Sequence, residues 1–283
     1  MLNNVFSKLT HGFKLSMSEH YRHITFASMI FALAHTPAHA QKLASIIIDD
    51  VGNNLEYGRE VINLPATLTI AILPKTTYAK KLARLAAKNN KEVMLHLPMQ
   101  SVEHHQHSPG TLDLHMTRRE FREQLRLNLS SVPYVRGVNN HMGSLLTRHP
   151  GHMAWLMDEL SHRGGLYFID SKTTSKSIAD KIAAENNVPV LSRDFFLDPD
   201  HKAETLRQQF DLFIQKVNQR GYALAIAHPY PETIKFLKAR LNELSQHGIE
   251  LIPVSELVRT ASQRNKYPEN RHVACTSTAC SRL

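Results

Sequence analysis

Short β-branched apolar segments alternate with amphipathic segments along most of the chain. Residues 44–48 (ASIII) predict a strand buried on both faces, and residues 78–90 predict a helix with leucine and alanine at helical spacing. Further predicted strands cover residues 67–73, 92–97, 135–139, 166–169, 188–191, 222–227 and 250–253. Strands that alternate with helices form parallel sheets. We therefore predict a single α/β domain of about seven β-α units over residues 41–260, most simply a parallel barrel.

The first forty residues look like a targeting segment. Residues 24–34 (ITFASMIFALA) are uncharged and mostly apolar, too short to span a bilayer but long enough for the apolar region of a signal peptide. Pro37 and the small residues of 38–40 (AHA) follow it. We predict a signal peptide over residues 1–40, with Met17 as an alternative start, and an exported chain without a stable transmembrane anchor. The competing interpretation is a buried core helix.

The chain is basic, with 34 Lys and Arg residues against 25 Asp and Glu residues and a formal net charge of +9. This excess raises the question of a nucleic-acid partner. Export removes that partner, and the basic residues are scattered along helices without interleaved aromatic side chains, so no nucleic-acid binding is expected. Loss of the leader leaves a charge of +7, which suits attraction to anionic wall polymers or phospholipid headgroups.

The last residues, 261–283, are polar and basic and lack apolar periodicity, which predicts a flexible tail. They hold both cysteines of the chain, Cys275 and Cys280. The two thiols can pair with each other in an oxidising compartment or stay accessory. Two cysteines in a tail cannot build a Cys-type structural zinc site, so a metal would be bound through nitrogen and oxygen ligands.

Histidine is abundant, with 18 residues, but the histidines fall into different groups. Five belong to the predicted leader. Three lie in the polar loop 103–107, where solvated surface is favoured over a metal-capture site. Others follow predicted strands, and acids and amides do the same: Asp49, Asp50, His96, Asn139, Asn140, His141, Asp170 and His228. Because the carboxyl ends of parallel strands surround the active site in α/β folds, these residues form the candidate site.

The acidic pair and the imidazoles predict metal chemistry. Asp49 and Asp50 are adjacent and should point to opposite sides of an extended strand, so that one binds metal while the other stays free as a base. Taken alone, the pair has a less favoured interpretation as a helix N-cap with a solvated neighbour, and a lone His96 is by default a satisfied core histidine. Two histidines and one carboxylate form an open three-ligand site of the zinc or iron type. Such a metal lowers the pKa of a bound water and polarises a carbonyl group.

Six segments together resemble the divergent polysaccharide deacetylase family, within the superfamily of chitin and peptidoglycan deacetylases. They are the acidic pair after its strand, EVMLHLPM, GVNNHMGSLLT, FIDSKTT, SRDFFLD and AIAHPYPET. The resemblance covers residues 44–257. It implies a distorted (β/α) barrel with about seven parallel strands, export to the bacterial periplasm, and a divalent metal, zinc by preference.

The resemblance also implies roles for individual residues. Asp49 would be the catalytic base and Asp50 a metal ligand, and His228 would be the general acid. The metal-binding histidine pair of the superfamily would begin at His96, but Gln100 stands at its second position. His141 could supply the missing imidazole from the next strand.

Four further residues are predicted to line the cleft. Asp170 stands where the superfamily often has an orienting acid, and Arg136 is the nearest arginine to its base-orienting motif. Asn140 lies beside His141. Asp194, like Asp198, flanks an apolar segment at a strand exit, where cleft lining and helix capping are equally consistent with the sequence.

Two functions follow. The first is an exported metal-dependent hydrolase that removes an N-acyl group from a cell-envelope carbohydrate with metal-activated water. The second, which Gln100 motivates, is a catalytically weak or inactive barrel that binds glycan or a cell-wall-remodelling protein. Shared coordination of one ion by Asp50, His96 and His141 would favour the first.

Overall fold

The computed structural model describes residues 41–103 and 108–266. The predicted leader, His104–His107 of the His-rich loop and the part of the predicted tail beyond Lys266 lie outside the described residues. Helix α8 (Val254–Lys266) extends past residue 260, where we placed the end of the domain. No helix of the described part is long and apolar enough to cross a membrane.

Strands and helices alternate as the sequence predicts. The strands are β1 (Lys42–Val51), β2 (Thr69–Ile72), β3 (Glu92–Met99), β4 (Val135–Met142), β5 (Tyr167–Asp170), β6 (Val190–Ser192), β7 (Phe195–Phe196), β8 (Tyr222–Ala227) and β9 (Ile249–Leu251). The helices before α8 are α1 (Leu55–Ile62), α2 (Ala79–Lys88), α3 (Arg118–Ser131), α4 (Pro150–Arg163), α5 (Ala179–Glu185), α6 (Ala203–Arg220) and α7 (Pro231–Gln246). A short 3₁₀ helix (Leu146–Arg148) precedes α4.

The strands form one parallel sheet in the order β6-β5-β4-β3-β2-β1-β8-β7. Strand β1 lies near the middle, with β8 on one edge and both β2 and β9 on the other. The two ends of the order, β6 and β7, are consecutive in the chain and separated by Arg193 and Asp194 alone. The sheet therefore curls round as a distorted barrel, which confirms the predicted fold class. The strand count exceeds seven because residues 190–196 form two short strands and β9 adds to β1.

The two faces of the sheet pack against different elements. One face, which carries Ile46, Ile48 and Phe168, packs against helices α1 to α7. The inner face, which carries Ile47, Met94, Ile169 and Ile226, packs against α8 instead. Backbone amides of α8 donate to side chains at the starts of β2 and β3, so α8 closes the amino-terminal end of the barrel.

The same end of the barrel holds both chain ends of the described domain. Arg264 in α8 donates to the carbonyl oxygen of Gln41 at 2.8 Å and to that of Gly221 at 3.0 Å. Lys42 and Leu43 pair with Ile249 and Glu250 of β9. The carboxyl ends of the strands are thereby left free of the termini.

An ion-pair network joins α3 to α4. Glu159 is buried, and its carboxylate accepts from Arg126 at 2.9 Å, Arg163 at 3.1 Å and Arg122 at 3.2 Å. Burial alone would raise the pKa of Glu159, but the three arginines outweigh it and lower that pKa below its ordinary value of 4.5. A carboxylate with a lowered pKa stabilises the folded state above its unfolded-state pKa, and the contribution disappears as the pH falls.

We expect Glu159→Gln to lower the free energy of unfolding by about 1–3 kcal/mol at pH 7, because it removes the shared acceptor of a buried network whose arginines still reach solvent. This loss of stability should be complete above about pH 5. It should shrink as the pH falls below about 4.3, the unfolded-state pKa of glutamate. Urea unfolding at several pH values measures both.

The matched control is Glu185→Gln, which removes an exposed pair with Lys181 at 4.0 Å and should cost less than about 0.5 kcal/mol. Equal losses for the two variants would contradict a structural role for the network.

Candidate metal centre

The inner face of the barrel changes from apolar to polar as the strands approach their carboxyl ends. Because side chains on one face recur every second residue, the change falls at matching positions: Ile47 to Asp49, Met94 to His96 and Ile226 to His228. Asp49 and His96 are each only 2% exposed. The predicted strand-end residues thus meet inside one end of the barrel, above an apolar layer.

Asp49 and Asp50 flank the same imidazole. Oδ1 of Asp49 lies 3.7 Å from Nδ1 of His96, and Oδ1 of Asp50 lies 3.1 Å from Nε2 of the same ring. The expectation that the two carboxylates point to opposite sides is wrong. The register of β1 against β2 shifts after Ile48, and Asp50 has a left-handed backbone (φ 56°), so its side chain turns back towards the barrel axis.

Asn139 fixes the orientation of His96. Its Nδ2 donates to Oδ1 of Asp49 at 2.8 Å, and its Oδ1 lies 2.9 Å from Nδ1 of His96. Because a carboxylate accepts only, Asn139 must turn its amide nitrogen to Asp49 and its oxygen to the imidazole. Nδ1 of His96 therefore carries a hydrogen and donates it to Asn139. Nε2 is left to face Asp50.

Three potential ligand atoms form a small triangle. Oδ1 of Asp50 is 3.1 Å from Nε2 of His96 and 2.9 Å from Nδ1 of His141, and the two ring nitrogens are 3.1 Å apart. Ligands bound about 2.0–2.1 Å from a zinc ion at angles of about 90–110° lie about 2.9–3.4 Å from one another. The triangle therefore has the size and the donor set of an open three-ligand metal site.

The surroundings of Asp50 also fit a cation. Its Oδ1 is buried, and among the described residues it accepts no hydrogen bond, although two ring nitrogens lie within 3.1 Å. A buried carboxylate oxygen this close to two nitrogens requires a shared proton or a cation between them. The residues present therefore fit a divalent metal held by Asp50, His96 and His141.

The pKa shifts reflect the negative charge gathered here. Burial by itself lowers the pKa of His96, but Asp49 and Asp50 outweigh it and raise that pKa to about 9. Burial raises the pKa of the Asp49 carboxyl, and the attraction of His96 and His228 only partly opposes it. For Asp50, contacts with His141 and His96 outweigh burial and lower the pKa. The same charge favours a divalent cation, which replaces protons on its ligands.

His228 is held from behind by Asp198, on the other side of the cleft. Its Nδ1 lies 2.9 Å from Oδ1 of Asp198, and its backbone amide donates to Oδ2 at 2.7 Å. Thr233 donates to the same Oδ2 at 2.8 Å, so the carboxylate is buried and fully engaged. Burial lowers the pKa of His228, but Asp198 outweighs it and raises that pKa. Nε2 is the ring nitrogen left for a substrate.

Gln100 has a structural task. Its side-chain oxygen accepts from the amide of Leu114 at 2.9 Å, and its backbone bonds to Leu112, Leu145 and Leu146. It thereby ties the segment after β3 to the loop after β4. Gln100 stands where the superfamily has its second metal-binding histidine. A third candidate ligand is nevertheless present, because His141 reaches Asp50 and His96 from the neighbouring strand.

Asn140 and Asp170 lie beside the site and brace its loops. Because successive side chains of a strand point to opposite faces of the sheet, Asn140 and Asp170 lie on the face opposite to Asn139 and His141. The side-chain oxygen of Asn140 accepts from the amide of Ser171 at 2.9 Å. Asp170 is fully buried and accepts from Ser177 and from the amide of Lys172. They support the carboxyl ends of β4 and β5 without pointing at the metal ligands.

Arg136 and Asp194 are placed away from the ligand triangle. Arg136 is exposed and is the second residue of β4, so it lies near the opposite end of the strand from His141. Asp194 accepts from Arg220 at 2.5 Å and from the amide of Leu224 at 2.9 Å, in the middle of β8. The structure therefore gives Asp194 a bracing role between α6 and β8, and neither residue joins the cleft.

Three residues of the site received no specific role from the sequence, although Asn139 was among the strand-end residues. The role of Asn139 could have been recognised because it lies two residues before His141 in the same strand. Side chains two residues apart in a strand lie on the same face of the sheet. Asp198 was noted only as a flanking acid, and nothing local paired it with a histidine 30 positions later. Arg193 gave no signal, because its place at the junction of β6 and β7 depends on how the sheet curls.

The fold and its sequence have identified relatives. An uncharacterized protein of Haemophilus influenzae is 35% identical over 220 residues, 78% of each chain. The uncharacterized protein YibQ of Escherichia coli K12 is 34% identical over 235 residues, 83% of this chain and 72% of that one. The crystal structure of an uncharacterized protein from Agrobacterium tumefaciens C58 matches with a TM-score of 0.74 at 20% identity, over 77% of this chain and 89% of that one.

The family model described as divergent polysaccharide deacetylase matches residues 46–258. That range begins in β1 just before the acidic pair and ends in α8, so it includes part of β1, all of β2 to β9 and every ligand of the candidate metal centre. The chain belongs to the divergent polysaccharide deacetylase family.

Proposed function

We propose that the protein is a metal-dependent hydrolase that removes an N-acyl group from an amino sugar of the cell envelope. The triangle of Asp50, His96 and His141 is the observation that carries the proposal. The family supports a carbohydrate substrate, and the open end of the barrel leaves the triangle accessible to one.

Asp50, His96 and His141 would hold the metal, with zinc the best match to two imidazoles and one carboxylate. A bound metal of this kind supplies a water of lowered pKa and polarises the acyl carbonyl group. Asn139 keeps the hydrogen of His96 on Nδ1, so the lone pair of Nε2 points into the triangle. Such partners behind the ligands orient them and raise their basicity.

Asp49 is placed to act as the base. Its Oδ1 is occupied by Asn139, and among the described residues its Oδ2 has no hydrogen-bond partner, so Oδ2 is the atom left to accept a proton from the attacking water. Burial raises the pKa of this carboxyl, which strengthens it as a proton acceptor near neutral pH.

His228 is placed to act as the acid. Asp198 fixes the ring through Nδ1 and favours its protonated form, so Nε2 can donate a proton to the amine that leaves the acyl carbon. Asp49 and His228 directly follow Ile48 and Ala227, which are paired in the neighbouring strands β1 and β8, and this supports their action in one cleft.

The second candidate function, a binding barrel without appreciable activity, was motivated by Gln100. His141 offers the third ligand that Gln100 does not, which favours the hydrolase. Binding of a glycan or of a cell-wall-remodelling protein without turnover stays as the alternative outcome of the tests below.

Metal content tests the ligand set directly. The purified mature chain should bind one zinc ion with high affinity, and Asp50→Asn or His141→Ala should weaken that binding at least about 100-fold, because each removes one of three ligands. Equilibrium dialysis against zinc with elemental analysis measures stoichiometry and affinity.

Two controls separate this site from adventitious binding. His162→Ala removes an exposed histidine that lies 3.2 Å from Asp158, a His–Asp pair outside the cleft, and should leave zinc affinity unchanged. Replacement of His104, His105 and His107 by alanine removes the His-rich loop as a source of bound zinc. Full zinc binding by Asp50→Asn in that background would refute the ligand assignment.

Activity tests the roles of Asp49 and His228. Asp49→Asn and His228→Gln should each lower kcat by about 10²–10⁴, the usual contribution of a general base or acid, while bound zinc stays at one per chain. Acetate release from N-acetylated glucosamine polymers and peptidoglycan fragments measures the rate. Stoichiometric zinc without acetate release from any of these substrates would favour the binding barrel.

We also infer export to the periplasm, from the leader predicted over residues 1–40. Expression of the full chain in a Gram-negative host should give a periplasmic protein whose N-terminal residue is Gln41. Cell fractionation followed by N-terminal sequencing checks this, and an uncleaved protein in the cytoplasm would contradict it.

A further inference from the structure

Arg193 lies at the junction of β6 and β7 and is held in one orientation. Its Nε donates to the carbonyl oxygen of Ser171 at 2.7 Å, and its Nη2 donates to that of Lys172 at 3.1 Å. The guanidinium carbon lies 3.6 Å above the centre of the Phe196 ring. Two consecutive carbonyls therefore occupy one edge of the guanidinium fork, and an aromatic face covers one side.

The charge of Arg193 has no direct counterion in the described part of the chain. No carboxylate oxygen there lies within 4.0 Å of its nitrogens, and both of its hydrogen-bond acceptors are neutral carbonyls. The outer edge of the fork, Nη1 together with the second hydrogen of Nη2, stays free for a ligand. The carboxylates of Asp170, Asp49 and Asp194 attract this charge from a distance, but none of them forms an ion pair or a hydrogen bond with Arg193. A planar carboxylate is the group that the free edge of such a fork binds best.

Arg193 borders the proposed catalytic cleft on two sides. Ser171, which accepts from Arg193, also lies 3.5 Å from Asn139, the residue between Asp49 and His96. Phe196, on which Arg193 stacks, has its ring centre 5.8 Å from that of His228. The guanidinium group thus lies between the residues of the base side and those of the acid side of the cleft.

We propose that Arg193 binds a carboxylate group of the substrate, so that the protein prefers N-acylated amino sugars that carry a carboxylate substituent over neutral ones. The proposal deepens the proposed function and rests on it for the identity of the sugar. It makes Arg193 a specificity-determining residue, separate from the metal ligands, the base and the acid.

Arg220 offers a matched control elsewhere in the molecule. It also stacks on an aromatic ring, with its guanidinium carbon 4.1 Å from the centre of Tyr222, and it also donates to a backbone carbonyl, that of Tyr222. Its charge, however, is paired with Asp194, and it lies at the amino-terminal end of β8. Its replacement should leave substrate preference unchanged.

The test compares two disaccharides that differ in one lactyl ether group, which carries a carboxylate: di-N-acetylchitobiose, and N-acetylglucosamine linked to N-acetylmuramic acid. Dissociation constants are measured by calorimetry on the zinc-loaded full mature chain, with Asp49→Asn in every protein to prevent turnover. With Arg193 intact, the carboxylate disaccharide should bind about tenfold tighter or more, as expected for a charge-assisted hydrogen-bonded pair. Arg193→Gln should reduce that ratio to below about threefold without weakening the neutral disaccharide.

Arg193→Lys keeps the charge but not the fork, so it should give an intermediate ratio, and Arg220→Gln should keep the full ratio. If a thermal melt shows that Arg193→Gln does not fold, Arg193→Lys still tests the proposal. Equal binding of the two disaccharides with Arg193 intact, or an undiminished ratio in both Arg193 variants, would overturn the proposal. A carboxylate preference in a protein whose wild type releases no acetate would instead overturn only the hydrolase function.

Discussion

The amide of Asn139 is the interaction on which the candidate site depends. It donates to Asp49 on one side and accepts from His96 on the other, so a single neutral side chain sets the orientation of the proposed base and the tautomer of a proposed metal ligand. Without it, two carboxylates and an imidazole would compete for the same proton. The base and the metal ligand keep separate roles because a group with one donor side and one acceptor side stands between them.

The barrel supplies what that arrangement needs. Period-two alternation puts apolar side chains on the inner face near α8 and polar ones above them, so the acids and imidazoles lie over a dry layer. Interactions between charges are stronger in such surroundings than in water. The register shift in β1 that turns Asp50 inwards is a local departure from regular strand geometry that the site uses, and a left-handed aspartate accommodates it.

The sequence predicted the fold and most of the candidate site because both follow from local patterns. Apolar segments of strand length marked the sheet, and the residues directly after them marked its carboxyl edge, which brought Asp49, Asp50, His96, His141 and His228 together correctly. The predictions for Asn140, Asp194 and Arg136 ignored which face of the sheet a side chain lies on and how far along its strand it stands. The face would have favoured Asn139 over Asn140, and the distance along β4 would have excluded Arg136.

Other features depend on tertiary geometry and could not be predicted. The pairing of His228 with Asp198 joins two strand exits that are adjacent only because β7 lies beside β8. The orientation of Asp50 depends on a shift in strand register, and the residue types around it do not predict such a shift. Arg193 contacts Ser171 on one side and Phe196 on the other because the curl of the sheet brings its two end strands, β6 and β7, together.

The bonds from Arg264 to Gln41 and Gly221 fix both ends of the described domain at the base of the barrel. Seven residues of β1 separate Gln41 at that base from Asp49, on the order of 25 Å of extended chain. A fusion partner or a surface tether joined at either end would therefore emerge on the far side from the metal centre. Attachment at either end of the described domain therefore leaves the carboxyl ends of the strands, and the candidate site between them, facing away from the support.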